Sequence, residues 1–329
     1  MADYSGTADL SGAVATFYGK SFIERLLPQV KMMDYVIKTP LPEGSGTIVY
    51  WPRMTTPSTT VSASKINYSA GREPITPGNI ISTAVSATIE KYGNAVALQD
   101  VLQLTAISST ITEVNNNMAD QAAQVLDKRI IEEAYGTSSA ALYYGAHFSA
   151  YAYNTVGATE FAGTYSAFQN YMDAASHKMT AATIRGAVKK LKGRDVLPQA
   201  DGFYTLVCHS DTAMTLQADS AWREAYQYTD AENLRKGIAG TYAGAKIQID
   251  NNIKSSAMGS GGNTLYFSLL LGHGSLGVTE LTGTKSYYVA GGASKYDPID
   301  EFVTVGWKAV MVPAVLNLSA GLVVITGDA

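Results

Sequence analysis

Two strand patterns in the first hundred residues are separated by a polar excursion for which a self-contained domain has little use. Thr47-Ile-Val-Tyr-Trp-Pro-Arg-Met54 reads as a strand running into a turn. The β-branched residues Thr83, Val85, Thr88 and Ile89 mark a second strand set, from Ile80 to Leu98. Between them, 55–79 is rich in Ser, Thr and Pro and too poor in apolar side chains to fill a core. Loops of this length are uncommon in compact domains and usually have a function. The spacing predicts a projecting hairpin or lobe, a stiff stalk of apolar strands with a polar tip, suited to lying across a neighbouring copy. The charges at its tip, Lys65, Arg72 and Glu73, are candidate inter-subunit contacts. The alternative is solvated loop charges, worth about 0–1 kcal/mol each.

Composition points the same way. Charged residues are 16% of the 329-residue chain, against roughly 25% in an average soluble protein. Tyr outnumbers Phe, 21 to 8. A surface that is neither charged nor oily suits burial against other subunits, because interfaces are depleted in Lys, Glu and Asp and enriched in Tyr. Hydrophobic residues, at 46%, are ample for a core. A net charge of −4 excludes a basic nucleic-acid binder on bulk electrostatics. The single cysteine, Cys208, excludes a disulfide framework and a Cys-cluster metal site.

Other segments are read from periodicity. An arm over 1–45 contains one short helix with Phe17, Phe22, Ile23, Leu26 and Leu27 as its stripe, stopped by Pro28. The clearest helix spans 109–135: Ile111, Val114, Met118, Ala122, Val125 and Leu126 step by threes and fours, and Gly136 follows. Ser109 or Thr110 can cap it, with Glu113 as a capping-box partner to Thr110. At 1.5 Å per residue it is roughly 40 Å long. Residues 134–172 carry one formal charge, Glu160, and seven Tyr, and read as irregular surface covered on assembly or as a packed loop. An α/β pattern follows. Thr180 caps a helix bearing Ile184, Val188 and Leu191 and ended by Gly193, and Phe203–His209 is a buried strand. A second helix covers 211–217, strands cover 246–250 and 264–271, and 278–290 and 302–326 are β-rich.

Two features imitate other classes. No charge occurs from Ala309 to Gly327, as in a membrane span. Pro313, Asn317, Ser319 and Gly321 interrupt it, so two buried strands with a turn near Asn317 are expected, with no membrane as partner; a tail anchor is the alternative. The start of the chain has no basic n-region or apolar run of a secretory signal. Gly272-His-Gly-Ser-Leu-Gly277 fits the dinucleotide fingerprint, with Asp297 at the matching distance. That motif needs a helix next, so that its N–H groups meet the pyrophosphate. Val278-Thr-Glu-Leu-Thr-Gly-Thr-Lys-Ser-Tyr-Tyr-Val289 predicts strand instead. His273 stands where a nucleophile elbow needs Gly, which leaves Ser275 no such role. The four histidines, 147, 177, 209 and 273, sit in unrelated segments and read as structural. No catalytic, cofactor-binding or metal-ligating residue is assigned.

Several passages resemble the major capsid proteins of tailed bacteriophages. The most specific is Asp297-Pro-Ile-Asp-Glu-Phe-Val-Thr-Val-Gly-Trp-Lys-Ala309. Ile238–Gly244 with Ala245-Lys-Ile-Gln-Ile-Asp-Asn251, Leu269–Gly272 with Gly277-Val278, Glu90–Leu98, and Trp222–Tyr228 before Asn233-Leu234 are similar and fall in the family's order. The likeness spans roughly residues 20–326. It implies an α+β fold of the Hong Kong capsid type: an N-terminal arm (1–46), an extended E-loop (47–98), a P-domain with a spine helix (99–179), an A-domain (180–294) and P-domain return strands (295–329). The Tyr-rich stretch 137–172 departs from the family pattern.

The resemblance implies a non-enzymatic subunit without cofactor. It would assemble with itself into hexamers and pentamers of an icosahedral shell around double-stranded DNA, without sequence-specific binding. Scaffolding, portal and decoration proteins are candidate further partners. The location implied is the virion, assembled in the host cytoplasm. Two alternatives remain: an encapsulin-like nanocompartment shell, and a nucleotide-binding cytosolic α/β enzyme resting on the Gly272 motif.

Overall fold

The computed structural model describes residues 11–26, 29–40, 46–54, 82–99, 110–136, 148–154, 159–161, 177–229, 240–256, 263–289 and 301–328. The chain enters through α1 (Ser11–Leu26), a 3-10 turn at Met32–Asp34 and the short strand β1 (Ile37–Pro40). Strands β2 (Ile48–Met54), β3 (Ser82–Thr88) and β4 (Glu90–Gln99) precede the long helix α2 (Thr110–Tyr135). Next come β5 (Ser149–Asn154), β6 (Thr159–Phe161), α3 (Ala181–Lys192), β7 (Tyr204–Cys208), α4 (Ser210–Ala218) and α5 (Ser220–Thr229). The remainder is β8 (Thr241–Tyr242), β9 (Ala245–Ile249), β10 (Ser255–Ser256), β11 (Thr264–Leu271), β12 (Leu276–Val289), β13 (Phe302–Val315) and β14 (Gly321–Asp328).

Two large sheets and a two-stranded ribbon of β2 and β3 organise these elements. One has four strands in the order β1-β12-β13-β4; the other has the order β6-β5-β14-β11-β7-β9-β8, with β10 beside β11. Strands from 180–294 and from 295–329 contribute to both: β12 and β13 pair in the four-stranded sheet, while β14 pairs with β11 in the other. The apolar run 309–327 thus forms the end of β13 and most of β14, as expected. Its turn is a 3-10 piece at Leu318–Ala320, where the Asn317 side chain accepts from the Ser319 amide at 3.1 Å.

Helix α2 lies in the main core, against side chains of both sheets. Met118, Ala122, Leu126, Ile130 and Ala134 pack with Val305, Trp307 and Met311 from β13 and with Phe267 and Leu269 from β11. The helix begins and ends within a residue of its predicted bounds. Gly136, at φ 87°, receives the reversal, and its N–H bonds the Glu132 carbonyl at 2.9 Å. Ser109 lies outside the described residues, and Thr110 is already helical. In α1, Phe22 and Leu26 are buried as the stripe predicted, whereas Ile23 is exposed.

Helix α3 follows its sequence closely. The Thr180 side chain accepts from the Thr183 amide and Thr183 returns the bond, which completes a capping box. Gly193 is the C-cap, and Ile184, Val188 and Leu191 are buried with Trp222 and Leu216 on the second face of the larger sheet. Each such side chain stabilises the fold by about 1.5–3 kcal/mol.

Two expectations are corrected. Only the first half of the 80–98 strand set, β3, pairs with β2; beyond Ile89 the chain becomes β4 and joins β13 instead. The stalk is buried on one face of one strand: Val49 and Trp51 of β2 are buried, and no residue of β3 is. Its stiffness comes from pairing and from a small root. In the Tyr-rich stretch, β5 lies parallel to β14, and Phe148 and Tyr151 are fully buried. That segment adds two strands, β5 and β6, to the larger sheet, so it is not simply irregular surface. Residues 137–147 and 162–172 lie outside the described residues.

Candidate assembly surface

The root of the β2–β3 hairpin rests on the alternation of β13. Along that strand, Val305, Trp307, Ala309 and Met311 pack into the main core, while Val312 and Ala314 meet Val49 and Trp51 on the other side. A period of two permits this, because successive strand side chains leave opposite faces. The Trp51 indole N–H donates to the Thr39 hydroxyl at 3.3 Å, tying the hairpin to β1 as well.

Among the described residues, the second face of β2 has no such cover. Ile48, Tyr50 and Met54 follow one another along it, 44%, 63% and 73% exposed. Large apolar side chains in a row on a two-stranded ribbon are an unpaired docking surface in the single chain. Sequence reasoning misses these residues, although a signal is present: Ile48-Val-Tyr-Trp51 is apolar on both faces, the pattern of a strand covered on both sides. The predicted contacts Lys65, Arg72 and Glu73 belong to 55–81, outside the described residues.

The hairpin passes through Ile89 into β4, which is bound to α2 by a polar cluster. The Arg129 guanidinium donates to the Tyr92 hydroxyl at 2.8 Å and to Glu133 at 3.0 Å, and lies 3.5 Å from Glu90. The Tyr92 hydroxyl in turn donates to Glu90. Gln121 of α2 accepts from Asn94 at 3.0 Å and from the Trp307 indole at 3.3 Å, so the tryptophan of the capsid-like passage is a joint between sheet and helix. On the far side, Arg25 of α1 grips Asp120 with two bonds of 2.6 and 2.7 Å, and Gln29 adds a third at 2.7 Å. The Arg25 bond holds the Asp120 carboxyl below its ordinary range. These links make arm, helix and sheet one frame from which the hairpin projects.

The glycines of the Gly272 motif have packing roles. A Cβ at Gly272 would lie 2.4 Å from Val196, and one at Gly277 would lie 2.8 Å from Leu316; Gly274 has φ +69°. Strand β12, not a helix, begins at Leu276. Calorimetry against NAD is expected to give no binding heat. Tight binding that Gly274→Ala abolishes would overturn this reading.

Elsewhere, His209 accepts from the Asp211 amide at 3.3 Å and caps α4, consistent with a structural histidine. Burial pushes the neighbouring Cys208 thiol up to about 12, which keeps it protonated and unreactive at neutral pH. His177 is buried and His273 exposed, while His147 lies outside the described residues. Among the described residues, no three His, Cys, Asp or Glu side chains are grouped to hold a metal ion. No helix among them is long and apolar enough to cross a membrane.

No family model matches the sequence, and no curated protein does. Solved structures do match. A chain of the cyanophage Pam1 capsid asymmetric unit aligns with a TM-score of 0.67 at 15% identity, covering 92% of each chain. The head structure of Helicobacter pylori bacteriophage KHP40 aligns at 0.63 and 13% identity, over 88% of each. A virus-like particle from Pyrococcus furiosus aligns at 0.54 and 8% identity, over 94% of this chain and 99% of that one. A likeness over about nine-tenths of each chain reaches beyond any single motif, and this chain has the α+β fold of a bacteriophage major capsid protein.

Proposed function

We propose that this protein is the major shell subunit of a bacteriophage head, assembling into hexamers and pentamers of an icosahedral capsid around double-stranded DNA. The observation that carries this reading is the likeness to phage capsid subunits over about nine-tenths of both chains. In this reading 1–46 is the arm, 47–98 the E-loop, 99–179 and 295–329 the P-domain, and 180–294 the A-domain. The uncovered stripe of Ile48, Tyr50 and Met54 lies against a neighbouring subunit, and Lys65, Arg72 and Glu73 pair across the same boundary. The acidic balance suits DNA confined by the wall and not gripped by a basic lining. Scaffolding, portal and decoration proteins are the partners such a shell would take.

Light scattering and negative-stain microscopy of the purified protein are expected to reveal capsomers or shells of megadalton mass. A stable monomer under every salt and protein concentration tested would overturn the proposal. The likeness to the Pyrococcus furiosus particle favours a second reading, a nanocompartment shell. Nuclease-protected DNA inside the particles supports the first reading, and enclosed protein without DNA the second.

A further inference from the structure

Two carboxyl groups meet where three parts of the chain join, at a place the assembly surface does not involve. Asp127, on α2, is fully buried, and Asp250, just after β9, is 3% exposed. Asp127 Oδ1 accepts from the Met32 amide at 2.9 Å, and its Oδ2 from the Asn252 side chain at 3.0 Å. Asp250 Oδ1 accepts from the Asn252 amide at 2.9 Å. Asp250 Oδ2 is buried without a hydrogen-bond partner, and Asn252 ties the two carboxyls together, its amide on Asp250 and its side chain on Asp127. Two ionised carboxylates in contact, both out of water, repel each other and leave Oδ2 unsatisfied. A proton held on one of them removes both penalties.

We propose that Asp127 and Asp250 share one proton, and that this proton is a pH-sensitive latch clamping the Met32 segment and the 250–253 turn onto α2. Among the described residues, no cation forms an ion pair with either carboxyl. From the first segment, Lys31 donates to the Ile249 carbonyl at 2.7 Å, and Asp34 lies in the same 3-10 turn. On α2, Lys128 is exposed, and the Tyr135 hydroxyl, whose titration burial pushes up and the Asp250 charge raises further, donates to the Phe267 carbonyl. After β9, Lys254 accepts through its carbonyl from the Phe267 amide at 3.1 Å. From the end of β7, the Cys208 carbonyl accepts from the Asp250 amide at 2.9 Å, and His209 and Asp211 pair with each other at 3.2 Å.

Burial first, then the hydrogen bond and charge of Asp250, raise Asp127 from the ordinary carboxylate range to about 7. A carboxyl raised on folding binds its proton more tightly in the folded than in the unfolded chain. Its stabilisation is therefore complete below about pH 4 and lost as pH rises to about 7. Across that window the folding equilibrium constant falls by up to about tenfold per pH unit for this one proton. Asp120, lowered by Arg25, acts with the opposite sign and at lower pH.

The test is hydrogen exchange on the full chain between pH 5 and 8, corrected for intrinsic rates and read at the Met32 and Asn252 amides. Protection is expected to fall by at least about tenfold across this range. In Asp250→Asn, the new amide can donate to Asp127 and still accept from Asn252, while the burial of Asp127 remains, so protection should fall clearly less with pH than in the natural chain. An unchanged pH profile in Asp250→Asn would overturn the proposal. A measurement on the natural chain stands independently of that variant's folding: the infrared band of a buried protonated carboxyl should be present at pH 5.5 and gone at pH 8.5. Its absence at pH 5.5 would equally reject the latch.

Discussion

Removing residues 58–76 and rejoining the strands by a short turn should leave a folded, soluble subunit that no longer closes into shells. The fold should survive because what anchors the hairpin lies outside the deleted segment. Val49 and Trp51 rest on Val312 and Ala314, and β2 pairs with β3 from Ile48↔Thr88 to Met54↔Ser82. Loop length itself matters little, since each halving changes the closure cost by only about 0.6 kcal/mol. Assembly is another matter, because the hairpin leaves Ile48, Tyr50 and Met54 exposed, without cover among the described residues. Circular dichroism should therefore match the natural protein while microscopy finds no closed particles. Normal particles from the deleted chain would show the loop to be decoration.

Trp307→Ala is expected to be the most damaging single substitution in the four-stranded sheet. The side chain is 4% exposed, packs in the core shared with α2, and its indole N–H is spent on Gln121. Truncating a buried aromatic to alanine costs about 3–5 kcal/mol, from lost burial and the cavity left behind. Against a typical total of about 5–15 kcal/mol, that is a large share. Trp307→Phe keeps most of the apolar contact and gives up the bond to Gln121, so its loss should be clearly smaller. Urea unfolding of the unassembled subunits checks both. An alanine variant within about 1 kcal/mol of the natural protein, the size of an ordinary surface change, would mean that helix and sheet are not held together here.

Elements whose boundaries are set locally are legible in the sequence. Thr180 and Gly193 bracket α3 because capping is settled within one turn, and α2 is visible from its stepped apolar residues. Pairing partners are not legible. Nothing near Ile89 indicates that β3 turns to β2 while β4 turns to β13, because that choice is made by a strand some two hundred residues away. Tyr151 escapes for the same reason. An Ala-Tyr-Ser strand has weak intrinsic preference, and it becomes buried only because β14 lies beside it. The assembly stripe is hidden by resemblance to core, since Ile48 and Tyr50 differ from Val49 and Trp51 only in which side has a neighbour. Asp127 carries a signal of another kind, an acidic residue between Leu126 and Ile130 on the buried side of a helix.

The place of β13 between β4 and β12 sets an order of events during synthesis. Strand β4 finds its partner in Phe302–Met311, and β1 pairs with Gly277–Glu280, so both wait for residues translated much later. Strand β14, between β5 and β11, arrives later still. At roughly 5–20 residues per second, β4 is exposed for about 10–40 s before β13 leaves the ribosome. Contacts so distant along the chain also make for slow folding. A nascent chain interrupted before residue 302 has the hairpin and the long helix but lacks a central strand in each sheet. Such a fragment presents the docking stripe without the frame that aims it. In the proposed shell, the lateness of the strands that complete the sheets acts as a filter, admitting only chains translated through β14.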